Sequence, residues 1–446
     1  MNSKKNLDMT EGGPFRLLIL FTLPALAGNL LNQVYSITDS IIVGRFLGET
    51  SLAAIGVCMP IVLLVGTLSF GLNIGVGILM SQCFGRRDID GMRHILANSL
   101  YLCVMISAAA LLIGYPLSEP ILRLMGTPDG PLKEAVSYMH ISFLSNIFPM
   151  LYYLFSNAFR GLGDAMTALY CLIVSVVMNI LLDILFVAVL GWGVPGSAWA
   201  TAIAQFSSVA FAVVMLNIKF REMRLTKKNL SLDLPLFKDI AVLAVPIAVQ
   251  SAFNNLGNVV VQSCINGFGE SVMAAYTAAS RIGSLAYMPG ENIGSTMSVY
   301  AGQNYGAGKN KRIPLGVRAS HKLNLIVSVI IGAALILSGR WMIGLFLTQP
   351  SETVVSTAYR YLMIAAVPGI FNGIMCIYQQ TLRGVGKATE SVIGGFMQLG
   401  TKVAIAIIGS TLVVNLDLVW LAWPLSFIVG TIFPYIVYRR YDFKNN

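Results

Sequence analysis

Apolar stretches of membrane-spanning length recur along almost the whole chain, separated by short polar connections. A helix that crosses a bilayer needs about 20 mostly apolar residues. Twelve runs meet that length, near 16–38, 52–80, 95–115, 135–159, 166–190 and 195–217, then near 237–262, 272–302, 317–338, 356–382, 390–413 and 417–438. The most charged segment, KFREMRLTKKNLSLDLPLFKD from Lys219 to Asp239, separates the sixth run from the seventh. The pattern predicts an N-terminal six-helix bundle (1–218), a cytoplasmic linker (219–235) with room for a short amphipathic helix, and a C-terminal six-helix bundle (236–446).

The two sets of runs repeat each other. A shift of 222 brings Pro24 to Pro246, Asn32 to Asn254, Gln33 to Asn255, Ser36 to Asn258 and Ser40 to Gln262. A shift of 221 brings Gly48-Glu49 to Gly269-Glu270, Gln82 to Gln303 and Gly85 to Gly306. A shift of 223 brings Arg160-Gly161-Leu162-Gly163 to Arg383-Gly384-Val385-Gly386. One apolar run can match another by accident, but a nearly constant shift over three separated landmarks is much harder to get by chance. Six spans per half is an even number, so both halves enter from the same side. The predicted fold is an all-α polytopic membrane protein of twelve transmembrane helices. Its two six-helix bundles are related by a pseudo-two-fold axis along the membrane normal, an arrangement used by secondary transporters.

Composition agrees with burial in lipid. The chain of 446 residues is 56% hydrophobic and 11% charged, whereas soluble domains carry about 25% charged residues. Its net charge of +10 would suggest nucleic acid in a soluble protein; here the positives gather in loops on one side of a membrane. With spans alternating from an inside N-terminus, 23 of the 30 Lys and Arg fall inside, 5 outside, and Arg281 and Lys402 within spans. That bias puts both termini in the cytoplasm. MNSKKNLDMTEGGPF is too polar for a cleaved signal peptide, so the first span is expected to stay attached. The six cysteines form no CxxC or CxxH, and the three histidines do not cluster with carboxylates. Neither a disulfide framework nor a zinc site is indicated.

Charge and amide groups inside the apolar runs carry the candidate chemistry. The first span has a polar stripe of Asn29, Asn32, Gln33, Ser36, Asp39 and Ser40, at steps of three and four that share one helix face. The seventh repeats it with Gln250, Asn254, Asn255, Asn258 and Gln262. Facing lipid, such stripes would be costly, so both should face an aqueous cavity or a bundle interior. Interhelical hydrogen bonding alone is worth only about 1 kcal/mol per pair in membranes. Asn179 and Asp183, four apart, share a face of the fifth span, and Thr201 sits one turn inside the sixth. Of twenty carboxylates, Asp39, Asp183 and Glu291 are the ones expected within spans, while Asp239, Glu390 and Asp417 stand at the first residues of their runs. Val261 stands where the second half matches Asp39, Ala406 where it matches Asp183, and Lys402 where it matches Asn179. The first half therefore holds the candidate cation site. Glu291 shares the eighth span with Arg281 and can pair with Arg281 or Lys402 across the bundle, a structural role that stands beside a functional one. Arg160 and Arg383 end helices on the inside, where they would meet helix C-termini and lipid headgroups. GQNYGAGKNK (302–311) lacks the Walker spacing and is no phosphate cradle.

These motifs resemble those of the multidrug and toxic compound extrusion (MATE) family of efflux transporters, within the larger group that includes flippases of polysaccharide and lipid-linked precursors. The resemblance runs from about Pro14 to Tyr438. It is carried by TDSIIVGRFLGETSLAAIG (38–56), RGLGD and RGVGK, NILLDILF followed by GVPGSAWATAIAQ, and AGQNYGAGK. The proline that often follows the fifth-span aspartate in the family is Ile184 here. The resemblance implies a V-shaped pair of six-helix bundles, alternating access, and export of amphiphilic cations in exchange for Na⁺ or H⁺. In the branch related to the DNA-damage-inducible proteins, the cation site falls on Asp39, Asn179, Asp183 and Thr201. The implied partners are small-molecule drugs or toxic metabolites and membrane lipids around a monomeric carrier in the cell membrane. Nucleic acid is not a partner; no cofactor is implied beyond the coupling ion, and no metal beyond Na⁺ at that site. A flippase of a lipid-linked precursor is the competing function; it would want cations in its cavity to meet a diphosphate, and Arg281 and Lys402 are the candidates. No constellation for an integral-membrane enzyme is present.

Overall fold

The computed structural model describes residues 7–346, 351–366 and 368–441. Lys4, Lys5 and Lys444, counted above for orientation, lie outside them. The helices of the first half are α1 (Pro14–Leu47), α2 (Glu49–Arg86), α3 (Ile89–Leu124), α4 (Asp129–Ser145), α5 (Ile147–Gly161), α6 (Ala165–Asp183) and α7 (Gly193–Lys219). Those of the second are α8 (Leu234–Asn266), α9 (Glu270–Gly306), α10 (Ile313–Phe346), α11 (Glu352–Ala366), α12 (Pro368–Gly384), α13 (Ala388–Ile407) and α14 (Leu416–Arg440). Among the described residues no strand occurs.

Among the described residues nine helices are long and apolar enough to cross a membrane, and α11 and α12, bent from each other by 41°, meet the same test of length and composition when taken together. The two remaining apolar runs differ from a plain span for local reasons. Run 135–159 is broken at Asn146 into α4 and α5, of 17 and 15 residues. Run 272–302 lies within α9, whose 37 residues give ample length, but Arg281, Glu291 and many small or polar residues dilute its apolarity. The chain is thus an all-α, polytopic membrane protein.

It folds as two compact units. One is built on Leu23–Ala248, the other on Asp8–Thr22 together with the described residues from Val249 onward. Both divides fall inside a helix, within two residues of Pro24 in α1 and of Pro246 in α8. Proline removes one backbone donor and crowds the preceding turn, so each helix has a natural break there. Each half of the chain thereby lends the opening of its first helix to the other unit.

Straps hold those openings. In the second unit Met9 N donates to Gln303 Oε1 (2.9 Å), Asn304 Nδ2 to Met9 O (3.0 Å), Lys309 Nζ to Thr10 O (3.1 Å) and Arg312 to Gly12 O (2.7 Å). GQNYGAGKNKR thus grips the segment before α1. In the first unit the linker forms two short 3₁₀ turns, Arg221–Met223 and Lys227–Leu230, in place of an amphipathic helix. Asn98 clamps it, donating to Ser231 O (3.3 Å) and accepting from Asp233 N (3.0 Å).

The RGLGD and RGVGK signatures are helix terminators. Gly163 (φ 79°) and Gly386 (φ 85°) adopt the left-handed conformation that glycine tolerates best. Gly163 N donates to Arg160 O and Asp164 N to Phe159 O; Gly386 N donates to Arg383 O and Lys387 N to Leu382 O. This is the paired closure that ends a helix at a left-handed glycine. At the earlier glycine of each motif, Gly161 lets α5 approach α2 and Gly384 lets α12 approach α9. A Cβ there would lie 2.9 Å from Met80 Cβ and 2.8 Å from Ala301 Cβ, respectively.

Candidate functional site

The first unit gathers the polar groups of α1, α6 and α7. Asn179 and Asp183 project from the last turns of α6, where they are 1% and 0% exposed. Beyond Asp183 the helix widens into a π-type turn, Ile184–Val189, before the glycine turn that leads into α7. Such widened turns recur at functional sites because they redirect side chains at the junction. Thr201 enters from α7, and Asp39 from α1.

A chain of hydrogen bonds joins them. With its amide nitrogen toward Asp183, Asn179 donates to Asp183 Oδ2 at 2.7 Å. Its oxygen then accepts from Thr201 Oγ1 at 3.2 Å and from Thr201 N at 3.3 Å. The reverse orientation would set an amide oxygen against a carboxylate oxygen. Tyr35, one turn before Asp39 on α1, hydrogen-bonds the Thr201 hydroxyl. At the other end the Asp39 and Asp183 carboxyls meet within hydrogen-bonding reach. Two carboxylates tolerate such a contact only with a proton or cation between them. Asp39 Oδ1 and Asp183 Oδ1 are both buried and accept no hydrogen bond. This all-oxygen donor set fits H⁺ or a hard cation such as Na⁺. Tyr138 of α4 lies within electrostatic range of both carboxylates and of Tyr35.

The structure therefore brings Asp39, Asn179, Asp183 and Thr201 together. Sequence reasoning missed Tyr35 and Tyr138, because a tyrosine in an apolar run reads as core. The step of four from Tyr35 to Asp39 was the available signal. Asn32, Gln33 and Ser36 are exposed on α1 beyond this cluster.

On α8, in the second unit, Asn255 and Asn258 are exposed, Asn254 is half-buried and Gln250 is buried. Gln250 Oε1 accepts from Arg383 at 2.6 Å, and Arg383 Nε donates to Ser391 Oγ at 3.0 Å. Arg383 is 6% exposed, so it turns inward at the end of α12 rather than reaching headgroups. Lys402 Nζ donates to Asn258 Oδ1 at 2.8 Å. The structure does not bring Glu291 into an ion pair with Arg281 or Lys402; Glu291 and Arg281 are exposed on α9, while Lys402 is buried.

Comparison with known proteins gives this arrangement a lineage. The chain is 29% identical over 441 residues to the probable multidrug resistance protein YoeA of Bacillus subtilis, covering 96% of this chain and 94% of that one. It is 21% identical over 410 residues to the multidrug export protein MepA of Staphylococcus aureus, covering 91% and 89%. Among solved structures, an outward-facing multidrug resistance MATE family transporter of the MOP superfamily superposes with a TM-score of 0.91 at 22% identity, covering 98% of each chain. A crystal structure of MATE in the straight conformation does so with the same score, identity and coverage. The MatE family model matches twice, over residues 24–185 and 246–408, with starts 222 and ends 223 apart, the spacing of the internal repeat. With both halves matched, the chain belongs to the MatE family of membrane transporters.

Proposed function

We propose that the protein is a secondary active exporter of small amphiphilic, often cationic compounds, driven by antiport with H⁺ or Na⁺ across the cell membrane. The observation that carries the coupling half of this reading is the meeting of Asp39 and Asp183 in the first unit. Binding a proton or Na⁺ relieves their repulsion, and release restores it. That makes the ion's free energy depend on how closely α1 approaches α6, which is the differential interaction coupling needs. Asn179 and Thr201 orient the Asp183 carboxylate through the hydrogen-bond chain. The substrate half rests on relatives named for multidrug resistance and export. In this reading residues 1–218 and 236–446 are the two six-helix halves and 219–235 the linker, with both termini cytoplasmic. In the first unit Asn32, Gln33 and Ser36, and in the second Asn254, Asn255 and Asn258, are the polar positions that each half offers to cargo.

The test is dye efflux from proteoliposomes under separately imposed Na⁺ and H⁺ gradients. Asp183→Asn and Asp39→Asn remove charge and little volume, so both variants should insert and fold yet lose gradient-driven efflux. Normal pumping by both, with the gradient still consumed, moves the coupling site elsewhere, and Glu291 becomes the next position to replace. A labelled lipid-linked sugar in the same vesicles tests the flippase alternative.

A further inference from the structure

We propose that the Lys402–Asn258 pair of α13 and α8 is a subsite for an anionic group, a carboxylate or phosphate carried by the amphiphile. The inference deepens the export reading and rests on it for the identity of the ligand as cargo. Lys402 is 4% exposed. Its ammonium has three N–H donors, and its hydrogen-bond partner is the neutral Asn258 oxygen. Among the described residues no carboxylate lies within ion-pair distance of it. A buried cation without a counter-charge is unfavourable, and an arriving anion would remove that cost.

The remaining valences around Lys402 point the same way. The Asn258 oxygen accepts from Lys402, which leaves the amide's two N–H donors for another partner, and Asn258 is exposed. What the pair offers is therefore donors only, which suits an anionic acceptor. Two helical turns earlier on the same face of α8, Gln250 commits its oxygen to the buried Arg383 in the same way. Asn254, half-buried, lies between them at the intervening turn. One face of α8 thus runs from one uncompensated cation to another, with amides between. Glu291, the carboxylate set in the middle of α9, pairs with neither cation among the described residues.

A purely structural Lys402–Asn258 bond is the rival explanation. It predicts that losing the ammonium weakens the protein, or its binding of every compound, equally. The discriminating experiment is equilibrium binding, by fluorescence anisotropy, of rhodamine B and its ethyl ester to purified protein in phosphatidylcholine nanodiscs. The acid is a zwitterion with a carboxylate; the ester is a cation of nearly the same shape. Lys402→Met should weaken the acid about tenfold or more and leave the ester within about twofold. Ester binding reports that the variant is folded. Lys402→Arg, which keeps the charge, should retain most of the acid's affinity. Equal weakening of both dyes, or of neither, overturns the subsite. Added phosphatidylglycerol separates the sources. If it erases the acid's sensitivity to Lys402→Met, a lipid headgroup phosphate occupies the subsite; if it does not, a soluble anion does. No gradient is applied, so failure of coupling in Asp183→Asn and failure here are separate results.

Discussion

The regions around Asp183 and around Ala406 occupy matching places in the two halves and carry opposite chemistry. Both end a helix in a π-type turn, Ile184–Val189 in one and Ile408–Leu412 in the other. In the first, α1 and α6 bring two carboxylates together. In the second, Val261 and Ala406 replace them, both 0% exposed, packed in an apolar cluster with Ile265, Val419 and Ala422. One turn before Ala406, Lys402 stands where Asn179 stands in the other half. The helical frame is kept in both halves, while the charge it carries has diverged from negative to positive. Helix geometry depends on many residues, whereas the sign of a site depends on three or four.

The sharpest way to break this comparison is to restore the missing carboxylate. Ala406→Asp puts a charge into the apolar cluster, with Lys402 one turn away to partner it. In a Lys402→Met background the same change leaves the carboxylate unpaired, and stability should fall by about 3 kcal/mol more. Thermal unfolding in detergent measures this; equal losses in both backgrounds would mean that Lys402 does not reach across the turn. Next comes Asn179→Ala, which strips the hydrogen bond to the Asp183 carboxylate, worth roughly 1.5–3 kcal/mol. Gradient-driven dye efflux should drop about tenfold or more, with unchanged insertion. Tyr35→Phe removes only the far end of the chain, a neutral bond of about 1 kcal/mol, so efflux should fall about fivefold. The smallest contrast lies at the helix terminators. Asp164 accepts from Thr167 N at 3.1 Å and pairs with Lys219 while buried, so Asp164→Ala should cost about 1–2 kcal/mol. Lys387, its counterpart, makes a partly exposed pair with Glu390 and lies over the Tyr441 ring, and Lys387→Ala should stay within about 1 kcal/mol. A larger loss from Lys387→Ala would show that the second terminator depends on its side chain.

Much of the fold was legible in the chain because a bilayer demands long apolar runs, and such runs are hard to hide. The break at Asn146 was not, since a single polar residue in an apolar run usually stays helical. The widened turn after Asp183 was not either, because no proline or glycine marks residues 184–189. Pro24 and Pro246 were visible as repeat landmarks, but nothing in their spacing says that a helix changes unit there. At the site, the step of four from Asn179 to Asp183 was readable, and so was the lone carboxylate of the first polar stripe. Tyr138 was invisible because its ring belongs to the apolar pattern, and Tyr35 showed only in its step of four to Asp39. Arg383 misled for the reverse reason: a basic residue at a helix end reads as a surface group. Its burial against Gln250 depends on a helix 133 positions away in sequence.

The traded openings of α1 and α8 bear on ancestry. A separate polypeptide ending near residue 218 would retain Asp8–Thr22, a segment that packs in the other unit, and would lack the stretch up to Ala248 that completes its own. Each half is therefore at once a donor and a recipient, the condition for segment swapping between identical copies. A primordial half-length protein could assemble with its twin by that exchange alone.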